Sequence, residues 1–97
     1  MTNEIRELTE DDFDRAISHQ QRDRIMRGEL EGGADVVALR RFLGMTQQAF
    51  SDALGISVHT LRNWEQGRRS PDGPALALLR IAARHPGVLV ENLAETA

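Results

Sequence analysis

The chain of 97 residues has no cysteine, and aromatic residues make up only 4% of it. The absence of cysteine excludes disulfides, thiolate metal sites and thiol nucleophiles. With so few aromatic residues, any core is mainly aliphatic. No apolar run approaches the ~20 residues that a membrane-spanning helix needs, and the acidic, polar N-terminus is unlike a signal peptide. We therefore expect a cytoplasmic protein without a membrane partner, consisting of one domain and an extension.

Signatures of catalysis and of metal binding are also missing. The three histidines, His19, His59 and His85, are widely spaced in a chain without cysteine, which makes a zinc site improbable. The chain has no GxSxG motif, phosphate-binding loop or other catalytic signature. We therefore expect that the protein is not an enzyme and needs no cofactor.

Charge is distributed unevenly along the chain, whose formal net charge is −3. Residues 1–33 carry nine acidic residues against five arginines, a net charge of −4, whereas residues 40–69 carry five arginines against two acidic residues, a net charge of +3. All twelve basic residues are arginine, whose fork of N–H groups suits phosphate and guanine. Codon bias in a GC-rich genome is an equally good explanation of that preference. The basic stretch is suited to contact with nucleic acid.

The first third of the chain has weak helical patterns and ends in a glycine-containing segment. Residues 11–27 have a thin apolar stripe, which predicts one or two helices that need a partner surface. Residues 28–33 resemble a linker. Asp35 is then predicted to cap a helix that Gly44 ends, with an apolar face made of Val36, Leu39 and Leu43.

Two short helical patterns follow, and a single glycine separates them. Thr46 is the predicted N-cap of one and Ser57 of the next, while Gly55 ends the first in a left-handed conformation and Gly67 stops the second. Their predicted inner faces comprise Phe50, Ala53, Leu54, Val58, Leu61 and Trp64. Because the link at Gly55 is very short, the helices must cross steeply, as in a helix-turn-helix.

A fourth core helix is predicted to open at Pro71 and Asp72, with Pro74 in its first turn, where a missing N–H costs little. It is expected to be the most buried helix, through Leu76, Leu78, Leu79, Ile81 and Ala83. A last short helix is predicted over residues 88–95. The pattern therefore predicts an all-α fold of four or five core helices.

The outer face of the helix after Ser57 carries hydrogen-bonding groups that suit base edges. Asn63 can pair with adenine through two hydrogen bonds, and Arg62 can bind guanine or phosphate. The free N–H groups at the start of the helix, from Val58 to Thr60, favour a phosphate. The alternative is that this is merely a solvated polar face. That explanation is weaker for the whole face than for any one of its residues. The outward residues are Ser57, His59, Thr60, Arg62, Asn63 and Gln66.

Residues around this helix have two possible roles each. Gln47 would lie at the groove edge, or it is a helix former in an exposed first turn. Arg68 and Arg69 could clamp phosphate, or they interact with the helix dipole. Arg40 and Arg41 could form ion pairs or contact DNA. Two further residues are not expected to contact DNA: Trp64 is predicted to be a core residue, and Glu65 to pair with an arginine such as Arg40 or Arg68.

The segment from Val36 to Leu89 resembles the Cro/phage-repressor class of helix-turn-helix proteins. Its specific part is Ser57-Val58-x-Thr60-Leu61-x-Asn63-Trp64-Glu65-Gln66-Gly67-Arg68, followed by Pro71 and Gly73-Pro74-Ala75. More closely, it is similar to HigA-like antitoxins of type II toxin-antitoxin systems. The resemblance implies a five-helix domain whose DNA-facing residues are Gln47, Ser57, Val58, His59, Arg62 and Asn63. Val58 departs from the class, in which a polar residue often stands there, so it either reads a thymine methyl or packs.

The resemblance also implies function and partners. It implies a homodimer that binds a palindromic double-stranded operator, represses its own operon and neutralises a RelE-like mRNA endonuclease. Residues 1–33 are then an acidic N-terminal extension, helical or partly disordered, and its acidic residues 4–14 suit a basic toxin surface. Residues 34–97 form the DNA-binding domain. The apolar residues Val88, Leu89, Val90 and Leu93 predict a C-terminal dimer surface. The alternatives are a stand-alone phage-type repressor and a protein-interaction module that does not bind DNA.

Overall fold

A computed structural model describes residues 17–96 of the protein, and side chains as far as residue 92. This part of the chain is all-helical and contains six helices. None of them has the length and apolar content that crossing a membrane requires. Their bounds are α1 His19–Met26, α2 Gly33–Phe42, α3 Gln47–Leu54, α4 Val58–Glu65, α5 Gly73–Arg84 and α6 Gly87–Thr96.

Helix α1 is part of the same packed body as the later helices. Ser18 caps it, and the side chain of Gln21 completes a capping box. Ile25 is fully buried, and α1 packs against α5 and α2. The packed body therefore extends N-terminal of the boundary predicted at residue 33. The acidic residues 4–14, assigned to a toxin-contacting extension, lie outside the described residues.

Helix α2 begins two residues before the predicted cap, so the prediction for Asp35 is wrong. The N-cap is Gly32, whose φ of 131° is a backbone conformation that favours glycine. Asp35 lies inside the helix and is 2% exposed. Its carboxylate accepts from the Arg24 guanidinium at 2.8 Å and from the backbone N–H of Glu31 at 2.9 Å. An ion pair with α1, rather than a helix N–H, therefore satisfies this carboxylate.

The pKa of Asp35 reflects that environment. Burial by itself raises it, but the hydrogen bonds from Arg24 and from the Glu31 backbone, with the Arg24 charge, bring it below its ordinary value. The ionised form is therefore favoured in the folded state. This ion pair joins α1 to α2.

Gly33 is a contact between helices rather than part of a flexible linker. A Cβ added there would overlap the backbone carbonyl groups of Glu65 and Trp64. The start of α2 therefore lies directly against the end of α4, and any larger residue would push the two helices apart.

Helix α5 follows the predicted start but is less buried than expected. Asp72 is its N-cap, and Pro74 lies in its first turn. Leu79 is fully buried, whereas Leu78 is 38% and Ile81 44% exposed. The prediction that α5 is the most buried helix is therefore wrong for its outer side. None of the described residues covers that side.

The last helix, α6, packs against α3. Its Leu89 is only 3% exposed, and its Asn92 side chain donates to the carbonyl oxygen of Ala53 at 2.8 Å. Leu89 therefore belongs to the core of its own subunit, and its assignment to a dimer surface is corrected. Val88 and Val90 are 41% and 48% exposed. The side chain of Leu93 lies outside the described residues.

Candidate DNA-binding surface

Helices α3 and α4 form a helix-turn-helix with the caps that the sequence predicts. Thr46 and Ser57 each accept a hydrogen bond from the backbone N–H three residues on, at 3.0 Å. Gly55 adopts the left-handed conformation with a φ of 75°. The backbone N–H of Ile56 then donates to the carbonyl oxygen of Ser51 at 3.0 Å, which closes the turn. These local bonds set where α4 starts and how it leaves α3.

The inner side of α4 is anchored in the core. Leu61 is fully buried and Trp64 is 6% exposed, as predicted for both. Helix α4 packs against α2 and α3, so its position is determined by two neighbouring helices. Side chains on its other side are therefore presented from a rigid support.

The outer side of α4 is polar and accessible. His59 and Arg62 are exposed, while Thr60 and Asn63 are half-buried. The Asn63 amide lies 3.4 Å from Nε2 of His59, one turn earlier on the same face. These groups can donate to and accept from base edges.

The start of α4 is partly satisfied by its own cap. The Ser57 hydroxyl accepts from the Thr60 N–H and lies 3.0 Å from the Thr60 hydroxyl. The Thr60 N–H, expected to be free for a phosphate, is therefore occupied. Val58 is half-buried, which agrees with partial packing rather than with a fully presented reading residue.

A side-chain network connects α2, α3 and α4 at the edge of this surface. The Glu65 carboxylate accepts from Nε of Arg40 at 2.7 Å and from Nε2 of Gln47 at 2.9 Å. The Arg40–Glu65 ion pair confirms one of the partners expected for Glu65, and its side chains are only 14% and 6% exposed. Oε1 of Gln47 in turn accepts from Nε of Arg62 at 3.2 Å. Of the two possible roles of Arg40, the ion pair is the one observed.

Two arginines follow α4 directly. Arg68 and Arg69 are exposed, and their backbone N–H groups donate to the carbonyl oxygen of Asn63 at 2.9 and 3.3 Å. These bonds fold the loop back onto the end of α4. The two exposed arginine side chains extend the basic region beyond the helix.

Sequence reasoning missed two features of this region. It did not find the contact of Gly33 with the end of α4, because glycines in a polar segment are also typical of linkers. It placed Gln47 at the groove edge but did not predict the hydrogen bonds of Gln47 with Glu65 and Arg62. The pairing of Gln47 with Glu65 joins residues 18 positions apart, and the sequence offers no local signal for it.

Comparisons with known proteins agree with this geometry. A helix-turn-helix family model matches residues 38–82, which span the second half of α2, all of α3 and α4, and most of α5. Antitoxin HigA-2 of Vibrio cholerae serotype O1 is 43% identical over 63 residues, which cover 64% of this chain and 61% of that protein. Antitoxin MqsA of Escherichia coli K12 is 32% identical over 56 residues, 58% of this chain and 43% of that protein. The chain thus aligns with less than two thirds of either relative.

Proposed function

We propose that the chain, which contains a helix-turn-helix and is similar to antitoxin HigA-2, is a dimeric DNA-binding antitoxin that represses its own operon. The observation that carries the DNA-binding part is the accessible polar face of α4, set on a buried inner side. The proposed DNA-facing residues are Gln47, Ser57, Val58, His59, Thr60, Arg62, Asn63, Arg68 and Arg69.

Within this set the residues have different roles. Asn63 and Arg62 read base edges, and His59 and Thr60 donate to bases or phosphates. Arg68 and Arg69 contact phosphate from the loop, which contributes affinity without selectivity. Val58 packs at the edge of the interface.

A homodimer fits this mode of binding. One recognition helix covers about half a turn of groove, and two copies ~34 Å apart reach successive major grooves on one face of the duplex. Val88 and Val90 are large aliphatic side chains left 41% and 48% exposed at the start of α6. We assign the dimer surface to these two residues, because a second copy would remove both from water.

Similarity to two proteins named antitoxins supports the second activity, neutralisation of a toxin. The proposed toxin is a RelE-like mRNA endonuclease encoded in the same operon. Residues 4–14 contain six acidic residues against one arginine, which suits a basic RNA-binding surface on such an enzyme. This step rests on analogy with the relatives.

Gel shifts with the DNA upstream of the protein's own gene, at two salt concentrations, test DNA binding. Wild type is expected to bind less tightly at the higher salt, because phosphate contacts release counterions. Asn63→Ala is expected to lose about 1–3 kcal/mol at one base pair of the site, while Gln48→Ala, on the exposed side of α3, serves as the control. Absence of salt-dependent binding by wild type would contradict the proposal and favour a protein-interaction module.

The alternative of a stand-alone repressor is tested separately. An adjacent reading frame for a basic protein of about 100 residues, whose toxicity the chain relieves on co-expression, supports the antitoxin. If the adjacent reading frame is absent, or the chain does not relieve its toxicity, the repressor function stands alone.

A further inference from the structure

The hydrogen bonds around Gln47 suggest a role other than reading DNA. We propose that Gln47, anchored by Glu65, is a positioning residue that orients the Arg62 guanidinium for the duplex. This inference rests on the proposed DNA binding. It reassigns Gln47 from a direct DNA contact to a link between the buried core and an exposed arginine.

The link starts from a fixed carboxylate. The Glu65 side chain is 6% exposed, and Arg40 holds it with hydrogen bonds of 2.7 Å from Nε and 3.2 Å from Nη2. Arg40 is itself tied to the carbonyl oxygen of Met45 at 3.1 Å. Because Arg40 lies on α2 and Glu65 on α4, the carboxylate keeps one position relative to both helices.

The chemistry of the three side chains determines the direction of the Gln47 amide. A carboxylate only accepts and a guanidinium only donates, so the group between them must donate to one and accept from the other. The Gln47 NH₂ group therefore faces Glu65, at 2.9 Å, and its carbonyl oxygen faces Nε of Arg62, at 3.2 Å. Glutamate at this position would repel Glu65, and a leucine would offer neither bond.

The link uses only one of the five N–H donors of Arg62. Its Nε–H is held by α3, and the N–H groups of both Nη atoms are left for a fork onto guanine or phosphate. Arg62 is exposed, and an exposed arginine has many rotamers. Restricting it before binding lowers the entropy lost when it contacts the duplex. The amide of Gln47 is already committed to two internal partners, which makes it a poor direct reader.

Two measurements test the proposal, with Gln47→Leu as the variant and Gln48→Leu as the matched control. Gln48 is the next residue on α3, and its amide donates to Asp52 at 2.9 Å on the exposed side. The first measurement needs no DNA. In NMR spectra of the free protein, the Nε–H of Arg62 is expected to exchange slowly with water in wild type and Gln48→Leu. In Gln47→Leu it is expected to exchange fast.

The second measurement is a double-mutant cycle on DNA affinity. Gln47→Leu alone is expected to weaken binding about tenfold, since a hydrogen bond to a charged group is lost. In an Arg62→Ala background the same substitution is expected to have no further effect, because Gln47 acts only through Arg62. Thermal melting of each variant checks that the fold is intact, and Gln48→Leu is expected to bind as wild type does.

The outcomes separate this inference from the proposed function. Additive losses in the cycle would show that Gln47 contacts DNA directly, and unchanged exchange of Nε–H would show that it does not hold Arg62. Either result overturns the inference while DNA binding stands. If wild type fails to bind its upstream DNA, the proposed function falls and the inference falls with it.

Discussion

Helices α4 and α5 are alike on their inner sides and different on their outer sides. Each buries a leucine completely, Leu61 in α4 and Leu79 in α5. The outer side of α4 carries hydrogen-bonding groups, whereas that of α5 leaves Leu78 and Ile81 exposed. Burial therefore explains how both helices are held in place, and only the chemistry of their outer sides distinguishes α4, the proposed DNA-facing helix, from α5.

The arginines of the two helices also differ in their partners. Arg80 and Arg84 of α5 both donate to the carbonyl oxygen of Met26, at 3.2 Å, and so fasten the end of α1. Arg62 of α4 is bound by a side chain at the edge of the candidate surface. A count of basic residues along the sequence cannot make this distinction, because it depends on which helix ends beside which arginine.

The largest effects are expected on the inner sides, where the two helices should behave alike. Leu61→Ala and Leu79→Ala are each expected to lower the free energy of unfolding by about 2–5 kcal/mol, because each removes fully buried methyl groups. Chemical denaturation measures both. His59→Ala, on the exposed side of α4, is the control and should change stability by less than about 0.5 kcal/mol. A small loss for Leu61→Ala alone would contradict the anchoring of α4.

The second prediction separates protein contact from DNA contact. Replacing Val88 and Val90 together by aspartate is expected to give monomers and to lower affinity for a two-half-site duplex about a hundredfold, since the second half-site no longer adds to binding. Analytical ultracentrifugation and binding assays measure the two effects. Glu91→Gln on the same helix is the control. A variant that stays dimeric would move the dimer surface elsewhere, with the exposed side of α5 as the next candidate.

The third prediction concerns the ion pair that joins α1 to α2. The folded-state pKa of Asp35 lies below its ordinary value of 3.8, so its stabilising contribution is fully present above the unfolded-state pKa. It is lost as pH falls through the folded-state pKa. Asp35→Asn is expected to cost about 1–2 kcal/mol at pH 7 and to flatten the loss of stability below about pH 4. Unfolding followed from pH 7 to pH 2 checks this, and parallel curves for both proteins would contradict it.

The smallest effect compares two exposed arginines. Arg69→Ala is expected to weaken binding to all DNA sequences and to reduce the salt slope by about one unit, because one phosphate contact is lost. Arg80→Ala removes the same charge from α5, and we expect the salt slope to stay as in wild type. Equal slopes for the two variants would mean that net charge, rather than the region after α4, determines the salt dependence.

Much of the fold could be predicted from local signals. Thr46, Gly55 and Ser57 act through residues within a few positions, and all three have the predicted roles. Asp35 was misassigned because a helix-capping residue and a buried ion-pair partner look the same without knowledge of Arg24. The predicted burial was wrong for three apolar residues: Leu78 and Ile81 are exposed, and Leu89 is buried. The sequence shows that a residue is apolar but not which neighbour covers it. The network around Gln47 depends on contacts between three helices and required the structure.

The most direct test of the account is an NMR map of backbone amides in the protein bound to its upstream duplex. We expect the perturbed amides to lie in residues 57–63, at Gln47 and in the loop of Arg68 and Arg69, with the exposed side of α5 little changed. Perturbations centred on Leu78 and Ile81, with α4 unaffected, would contradict the assignment of α4 to DNA.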